Sequence, residues 1–162
     1  MKKLLITLCS VVLILSVGCE KVDNTKKGNY KNGTYFGFVE YESYGKKYVT
    51  TATVYVDESG MIKSVNIDST YFKDDVYTTK KSLGDNYGMK ATSADIGAIP
   101  GGAEWYEQVS QIEEKVIDQQ GLDWVKWEDE AKTKLDIDTI SGVTITADTY
   151  VEAITKALKQ AK

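Results

Sequence analysis

Between residues 33 and 68 apolar and polar side chains alternate with a period of two. Ala52, Val54 and Val56 interleave with Thr51, Thr53 and Tyr55, the pattern of a strand that lays one face on a core. Tyr, Phe, Val, Thr and Ile dominate residues 33–44, 47–57 and 61–68, and turn signals separate them at Tyr44-Gly45-Lys46 and Glu58-Ser59-Gly60. Three consecutive antiparallel strands are predicted, with helices covering their apolar face.

The pattern then breaks. Asp, Lys, Thr and Gly are scattered through residues 69–101, which reads as a long functional loop with one helical turn. A helical period returns after Gly101-Gly102 and runs through Gln120, with Trp105, Val109, Ile112 and Val116 on one stripe and Gly121 placed as the left-handed cap. Trp105 is read as core packing rather than as a cofactor contact. Residues 122–127 predict a short strand with Trp124 and Trp127 on opposite faces, and residues 128–136 a charged connection. The last helix is predicted from Ala147, with Thr146 as N-cap and Val151, Ile154, Leu158 and Ala161 buried. Strands first and helices afterwards define an α+β fold, an antiparallel sheet packed against helices.

Composition narrows the chemistry. A chain of 162 residues with 42% hydrophobic content supports one core. Twenty basic residues are interleaved with 24 acidic ones, for a net charge of -4, which argues against a nucleic-acid partner. His is absent, which removes His-based triads and His-ligated zinc or haem. Both cysteines, Cys9 and Cys19, lie in the first nineteen residues, so the globular part has no thiol for a disulfide, a cluster or a nucleophile. Redox chemistry here needs a cofactor held by other groups, and no metal is expected.

Met1-Lys2-Lys3 and the mostly apolar run 4–17 have the make-up of an export signal, shorter than the ~20 residues that span a bilayer. The run ends Leu15-Ser16-Val17-Gly18-Cys19, which resembles a bacterial lipobox. That resemblance implies cleavage after residue 18 and a lipidated Cys19. Each buried acyl CH₂ contributes ~0.8 kcal/mol, so two chains anchor the protein stably on a membrane. Residues 20–32 are rich in Lys, Asn, Asp, Thr and Gly and read as a flexible tether, with the domain occupying 33–162.

Candidate chemistry concentrates in Asp138-Thr139-Ile140-Ser141-Gly142-Val143-Thr144-Ile145-Thr146. Ser141 to Thr144 is a tight turn that ends in a hydroxyl about two residues ahead of the predicted helix. A phosphate near Thr144 would meet the free N–H groups of the first helical turn and the positive end of its dipole. Gly142 is read as clearing space for close approach, with Ser141 and Thr146 as further hydroxyl donors. Gly84 and Gly88 either bring backbone close to a ligand or serve as ordinary turn glycines.

The same stretch resembles the flavinylation motif of the FMN-binding domain family, in the branch of extracellular electron-transfer lipoproteins of Gram-positive bacteria. Residues 81–89, residues 104–108 and the opening Asn32-Gly33-Thr34-Tyr35 are similar to stretches of that branch as well. The resemblance implies FMN joined by a phosphoester bond to Thr144, installed from FAD by a dedicated FAD:protein FMN transferase that reads Asp138, Ser141 and Gly142. Val143 stands where the family usually has Ala and adds bulk beside the linkage, flanked by Ile145 and Thr146. Leu83, Gly84, Tyr87, Gly88 and Met89 are then expected near the flavin, with Leu83, Tyr87 and Met89 as a ring platform. Lys80, Lys81 or Lys90 is expected as a positive partner of the reduced ring.

The implied function is a membrane-anchored extracellular electron carrier, lipid-attached on the outer face of the cell membrane. Its expected electron source is a membrane quinone or NADH dehydrogenase chain. Covalency has a physical rationale there: a micromolar Kd corresponds to only ~8 kcal/mol and loses flavin wherever free flavin is scarce. Two rivals from other classes are a surface lipoprotein that captures a small non-redox ligand and a flavin subunit of a larger respiratory complex.

Overall fold

Antiparallel pairing starts at the first described strand and runs in chain order through four strands, β1 (Gly33–Ser43), β2 (Lys46–Val56), β3 (Ile62–Lys73) and β4 (Val76–Thr79). The computed structural model describes residues 27–95, 99–136 and 138–162. Helices α1 (Lys80–Leu83), α2 (Lys90–Asp95), α3 (Trp105–Gln119) and α4 (Asp148–Gln160) follow, with a 3₁₀ turn at Gly84–Tyr87. The architecture is the expected α+β arrangement of an antiparallel sheet with helices packed against it.

The β1–β2 hairpin closes on Tyr44 and Gly45, both at positive φ (52° and 69°), the two-residue turn whose twist matches that of the strands. Ala52, Val54, Val56, Ile62, Val65 and Ile67 line the buried face and meet Val109, Ile112 and Val116 of α3 and Ala153, Ile154 and Leu158 of α4. Each such side chain contributes roughly 1.5–3 kcal/mol when fully buried. Ile154, Leu158 and Ala161 of the predicted α4 stripe are buried and Val151 is half-buried, while Tyr150, Ala153 and Ala157 widen the stripe on the same side.

Helix α4 lies directly on β1. A Cβ on Gly37 would stand 2.0 Å from the Ala153 carbonyl oxygen, so only glycine allows this approach. Among the described strands β1 pairs with β2 alone, and α4 satisfies two carbonyls of its free edge: Gln160 Nε2 donates to the Phe36 oxygen at 2.7 Å and Lys156 Nζ to that of Phe38 at 3.1 Å.

Several expectations change. The long loop predicted from residue 69 is mostly regular structure, because β3 continues to Lys73 and turns at Asp74-Asp75 into β4. Both aspartates have positive φ (50° and 63°), a conformation that Asp tolerates better than most residues. Helix α3 begins at Trp105 rather than at the Gly101-Gly102 pair. It ends with Gln120, not Gly121, in the left-handed position. The Gln120 N–H donates to the Ile117 oxygen and the Gly121 N–H to that of Val116, a Schellman closure. Gln120 holds this conformation because its side chain is fixed across the sheet: Oε1 accepts the Ile62 N–H at 2.7 Å and Nε2 donates to the Ile62 oxygen at 3.0 Å.

Residues 122–127 are not a strand. Trp124 is buried with its indole N–H on the Gly121 oxygen, and Trp127 forms only an isolated bridge with Leu135. The tether expected to reach residue 32 is pinned earlier, by the N–H groups of Gly28, Tyr30 and Lys31 on the oxygens of Ser59, Gly60 and Ala161. Cys19 and the signal segment lie outside the described residues.

Candidate functional site

The 138–147 stretch is folded locally at its start and anchored in the core by every second or third residue. Asp136 organises the entry: its carboxylate accepts the Asp138 N–H at 2.8 Å and its backbone oxygen accepts the N–H groups of Thr139 and Ile140. Ile140, Val143, Ile145 and Ala147 are buried, whereas Asp138, Ser141 and Thr146 are exposed. Thr144 is half-buried between two anchors. The Val143 side chain therefore fills core space, and its bulk is not on the surface beside the Thr144 hydroxyl.

Gly142 has φ 77°, and a Cβ there would meet nothing within 4 Å. Its role is backbone conformation rather than clearance for a ligand. Gly84 (φ 52°) and Gly88 (φ 80°) likewise have open space at the Cβ position and terminate α1 and the 3₁₀ turn. They are conformational glycines of the turns that carry Leu83, Tyr87 and Met89.

The centre of the site is Gln108, fully buried on the first turns of α3. Its Oε1 accepts two hydrogen bonds from Thr144, from the backbone N–H at 2.8 Å and from the hydroxyl at 3.1 Å. The amide orientation follows from chemistry, since a backbone N–H is only a donor and requires the oxygen. The Nε2 side donates to the Ala103 oxygen at 3.3 Å and lies 3.5 Å from Ser93 Oγ and 3.7 Å from Met89 Sδ. Through this one amide, Thr144 and Met89 are brought together. Buried Glu104 fixes the Met89 end by accepting the N–H groups of Met89 (2.8 Å) and Lys90 (3.1 Å).

Trp105, one helical turn before Gln108, forms the floor next to it. Its indole N–H donates to the Tyr150 hydroxyl at 3.0 Å, and its ring meets those of Tyr150 (5.8 Å between centroids) and Tyr87 (6.5 Å) edge-on. Tyr87 also packs edge-on against Tyr71 at 5.0 Å. Burial pushes the Tyr87 hydroxyl up to about 12, reinforced by Tyr71, Tyr41, Tyr48 and Glu104. Leu83, Tyr87 and Met89 are all half-buried, so each retains surface that a planar ligand can cover.

The three candidate lysines occupy different environments. Lys81 is committed to Glu113 at 2.5 Å and Asn66 at 2.7 Å. Lys90 is exposed. Lys80 projects over aromatic rings, with Nζ 5.3 Å from the Trp105 centroid and 5.5 Å from that of Tyr87. Burial lowers its pKa to about 8, against an opposing pull from Asp68.

The helix does not begin where expected. α4 starts at Asp148, four residues after Thr144, and Ala147 rather than Thr146 takes the N-cap position without a side-chain bond. The Asp148 carboxylate already occupies the first turn, which favours the positive end of the dipole for its own charge. A helix-terminal phosphate cradle at Thr144 is thus not what the local geometry provides. Asp138 and Ser141, for their part, are exposed and make no hydrogen bond to Gln108 among the described residues. With Thr139 and Ile140 they line a shallow groove of about 310 Å³ against Gln111, Glu114, Lys115 and Asp118 of α3.

Chemically, the site presents one oriented hydroxyl. Gln108 accepts its hydrogen bond and is not a base, so this contact orients the Thr144 hydroxyl without deprotonating it. Gln108 was absent from the residues singled out by chemistry, although its signal was present: a Gln three residues after Trp105 falls on the buried stripe of α3. Compared with protein-family models, curated proteins and solved structures, the chain matches none.

Proposed function

We propose that Thr144 carries FMN through a phosphoester bond, and that the protein is a lipid-anchored electron carrier on the outer face of the cell membrane. One observation carries the reading: the hydroxyl of Thr144, within the motif stretch, is held by Gln108, whose Nε2 lies 3.7 Å from the sulfur of half-buried Met89. The residues present fit the group. Thr144 Oγ1 donates its only proton to Gln108 and keeps its lone pairs free for a bond to phosphorus. Apolar and aromatic surface lies on the other side of the same amide.

FMN, when bound, supplies the reversible uptake and release of electrons. The chain's own residues do the rest. Gln108 and the buried Val143 and Ile145 fix the position of Thr144; Tyr87 and Met89, backed by Trp105 and Glu104, offer a surface that excludes water from one side of a ring. Among the described residues Thr144 hydrogen-bonds to the neutral Gln108 amide and to no carboxylate or amine, which agrees with attachment by an external transferase. Attachment would replace the Thr144 O–H bond by an O–P bond to FMN, with the proton taken by the transferase and AMP released from FAD. Asp138 and Ser141, exposed along the groove against α3, are free for the transferase to read. Eight residues lie between Cys19 and the first pinned position, Gly28, so the domain works within about 30 Å of the lipid headgroups even at full extension.

The test is coexpression with a FAD:protein FMN transferase, followed by intact mass and visible absorbance of the denatured chain. The expected result is a mass increase of FMN minus water that is lost in Thr144→Ala. An unmodified wild-type chain, or an increment that survives the substitution, overturns the proposal.

A further inference from the structure

Resting on the flavin reading above, we propose that Lys80 sets the reduction potential of the group carried by Thr144, by placing an uncompensated ammonium against the ring face of the same α3 turn. Two independent lines meet there. Trp105 and Gln108 are adjacent on α3; Gln108 holds Thr144, and Trp105 lies under the Lys80 ammonium. The second line is the absence of an anionic partner. Among the described residues Lys81 is paired with Glu113, and Lys73 donates to the Asn86 oxygen, but Lys80 makes neither a salt bridge nor a hydrogen bond. A half-buried ammonium that stands over two ring faces without an ion pair is unusual, because charges withdrawn from water are ordinarily paired. Asp68 acts on it at longer range, without contact.

That arrangement fits a planar ligand whose charge changes. A flavin that takes two electrons and one proton from a quinol-class donor, which becomes a quinone and releases its second proton, gains one negative charge on the ring. Lys80 is the described lysine placed to offset it from the aromatic side, whereas the Lys81 charge is already neutralised by Glu113. The effect is thermodynamic: the ammonium favours the reduced form and raises the potential.

The experiment uses the flavinylated full-length chain, with attachment verified by intact mass before any potential is measured. Midpoint potentials are then compared for Lys80→Gln, Lys80→Met, Lys80→Arg, Lys81→Gln and Lys90→Gln. Removing the Lys80 charge lowers the reduced-to-oxidised ratio at a fixed ambient potential at least tenfold, which is about 30 mV for a two-electron couple. Lys80→Arg retains most of the wild-type value, and the Lys81 and Lys90 variants move less than half as far. The proposal is overturned if Lys80→Gln and Lys80→Met carry flavin at an unchanged potential, or if all three lysines shift it equally as a general charge effect would. A chain without a flavin mass fails at the first step and counts against attachment itself, a distinct result from an unmoved potential.

Discussion

The side-chain oxygen of Gln108 accepts both the backbone N–H and the hydroxyl of Thr144, thirty-six residues later in the chain. One neutral amide thereby joins helix α3 to the motif loop and fixes the direction of the hydroxyl. A carboxylate in that position would place a negative charge beside the hydroxyl, whereas the amide holds it without one.

Replacing Gln108 with Leu keeps the approximate volume and removes both functions of the amide. The Thr144 N–H and the Ala103 oxygen lose their partner, and each unsatisfied buried group costs about 1–3 kcal/mol. We expect a loss of ~2–4 kcal/mol in urea unfolding, faster hydrogen exchange at the Thr144 amide, and slower flavinylation than in wild type. Unchanged exchange at Thr144 would show that the loop is held by its buried Val143 and Ile145 alone.

Two glycines that look alike in sequence should respond differently to alanine. Gly142 sits at φ 77° in open space, so Gly142→Ala carries only the left-handed penalty of about 1–2 kcal/mol. A Cβ at Gly37 would stand 2.0 Å from the Ala153 oxygen and 2.8 Å from the Ala157 nitrogen, which forces α4 away from β1. Gly37→Ala is expected to cost ~3 kcal/mol or more, at or above the upper range for overpacking. Equilibrium denaturation of the two variants side by side checks the order.

Gln120 sets two effects against each other. Glycine would relieve the left-handed strain at φ 55°, worth about 1 kcal/mol. It would also strip the Ile62 N–H and oxygen of their Gln120 partners, at about 1–3 kcal/mol for each group left unsatisfied. The second effect is larger, so Gln120→Gly should lower the denaturation midpoint although glycine is the usual residue at such a cap.

Lys80 gives a pH signature that does not depend on any cofactor. Its folded pKa is about 8 against an ordinary 10.5. Below pH 8 both states are charged, and the folded state bears the full cost of burying the ammonium. Between 8 and 10.5 the unfolded chain retains a proton that the folded chain has released, so stability rises with pH. Tyr87 acts in the opposite sense: its folded pKa of about 12 gives stability that is present below 10 and lost above it. The groups facing Lys80 are Asp68 from β3 and the rings of Tyr87 and Trp105, with Tyr71 and Glu104 acting on Tyr87. The clean window is therefore pH 8 to 10, where wild type should gain stability and Lys80→Met should stay flat. A wild-type urea midpoint that does not move across this window rules the effect out.

By itself the sequence determined what depends on local periodicity. The alternation at Ala52, Val54 and Val56 and the stripe of Trp105, Val109, Ile112 and Val116 specified the buried faces of β2 and α3, and with them the α+β order, because burial of apolar surface follows a repeat that neighbouring residues already display. The stretch from Asp138 to Thr146 and the residues Leu83, Tyr87 and Met89 were likewise legible as candidates. Tertiary structure alone decided the rest. β4 needed the Asp74-Asp75 turn to be stabilised by pairing with β3, and the start of α4 moved by one residue, with buried Ala147 in place of Thr146 as N-cap. Gln108 became the partner of Thr144, and Lys80 rather than Lys81 was left without a counter-charge, through contacts between segments far apart in the chain. Such pairings are chosen by which groups packing leaves unsatisfied, a quantity no local pattern contains.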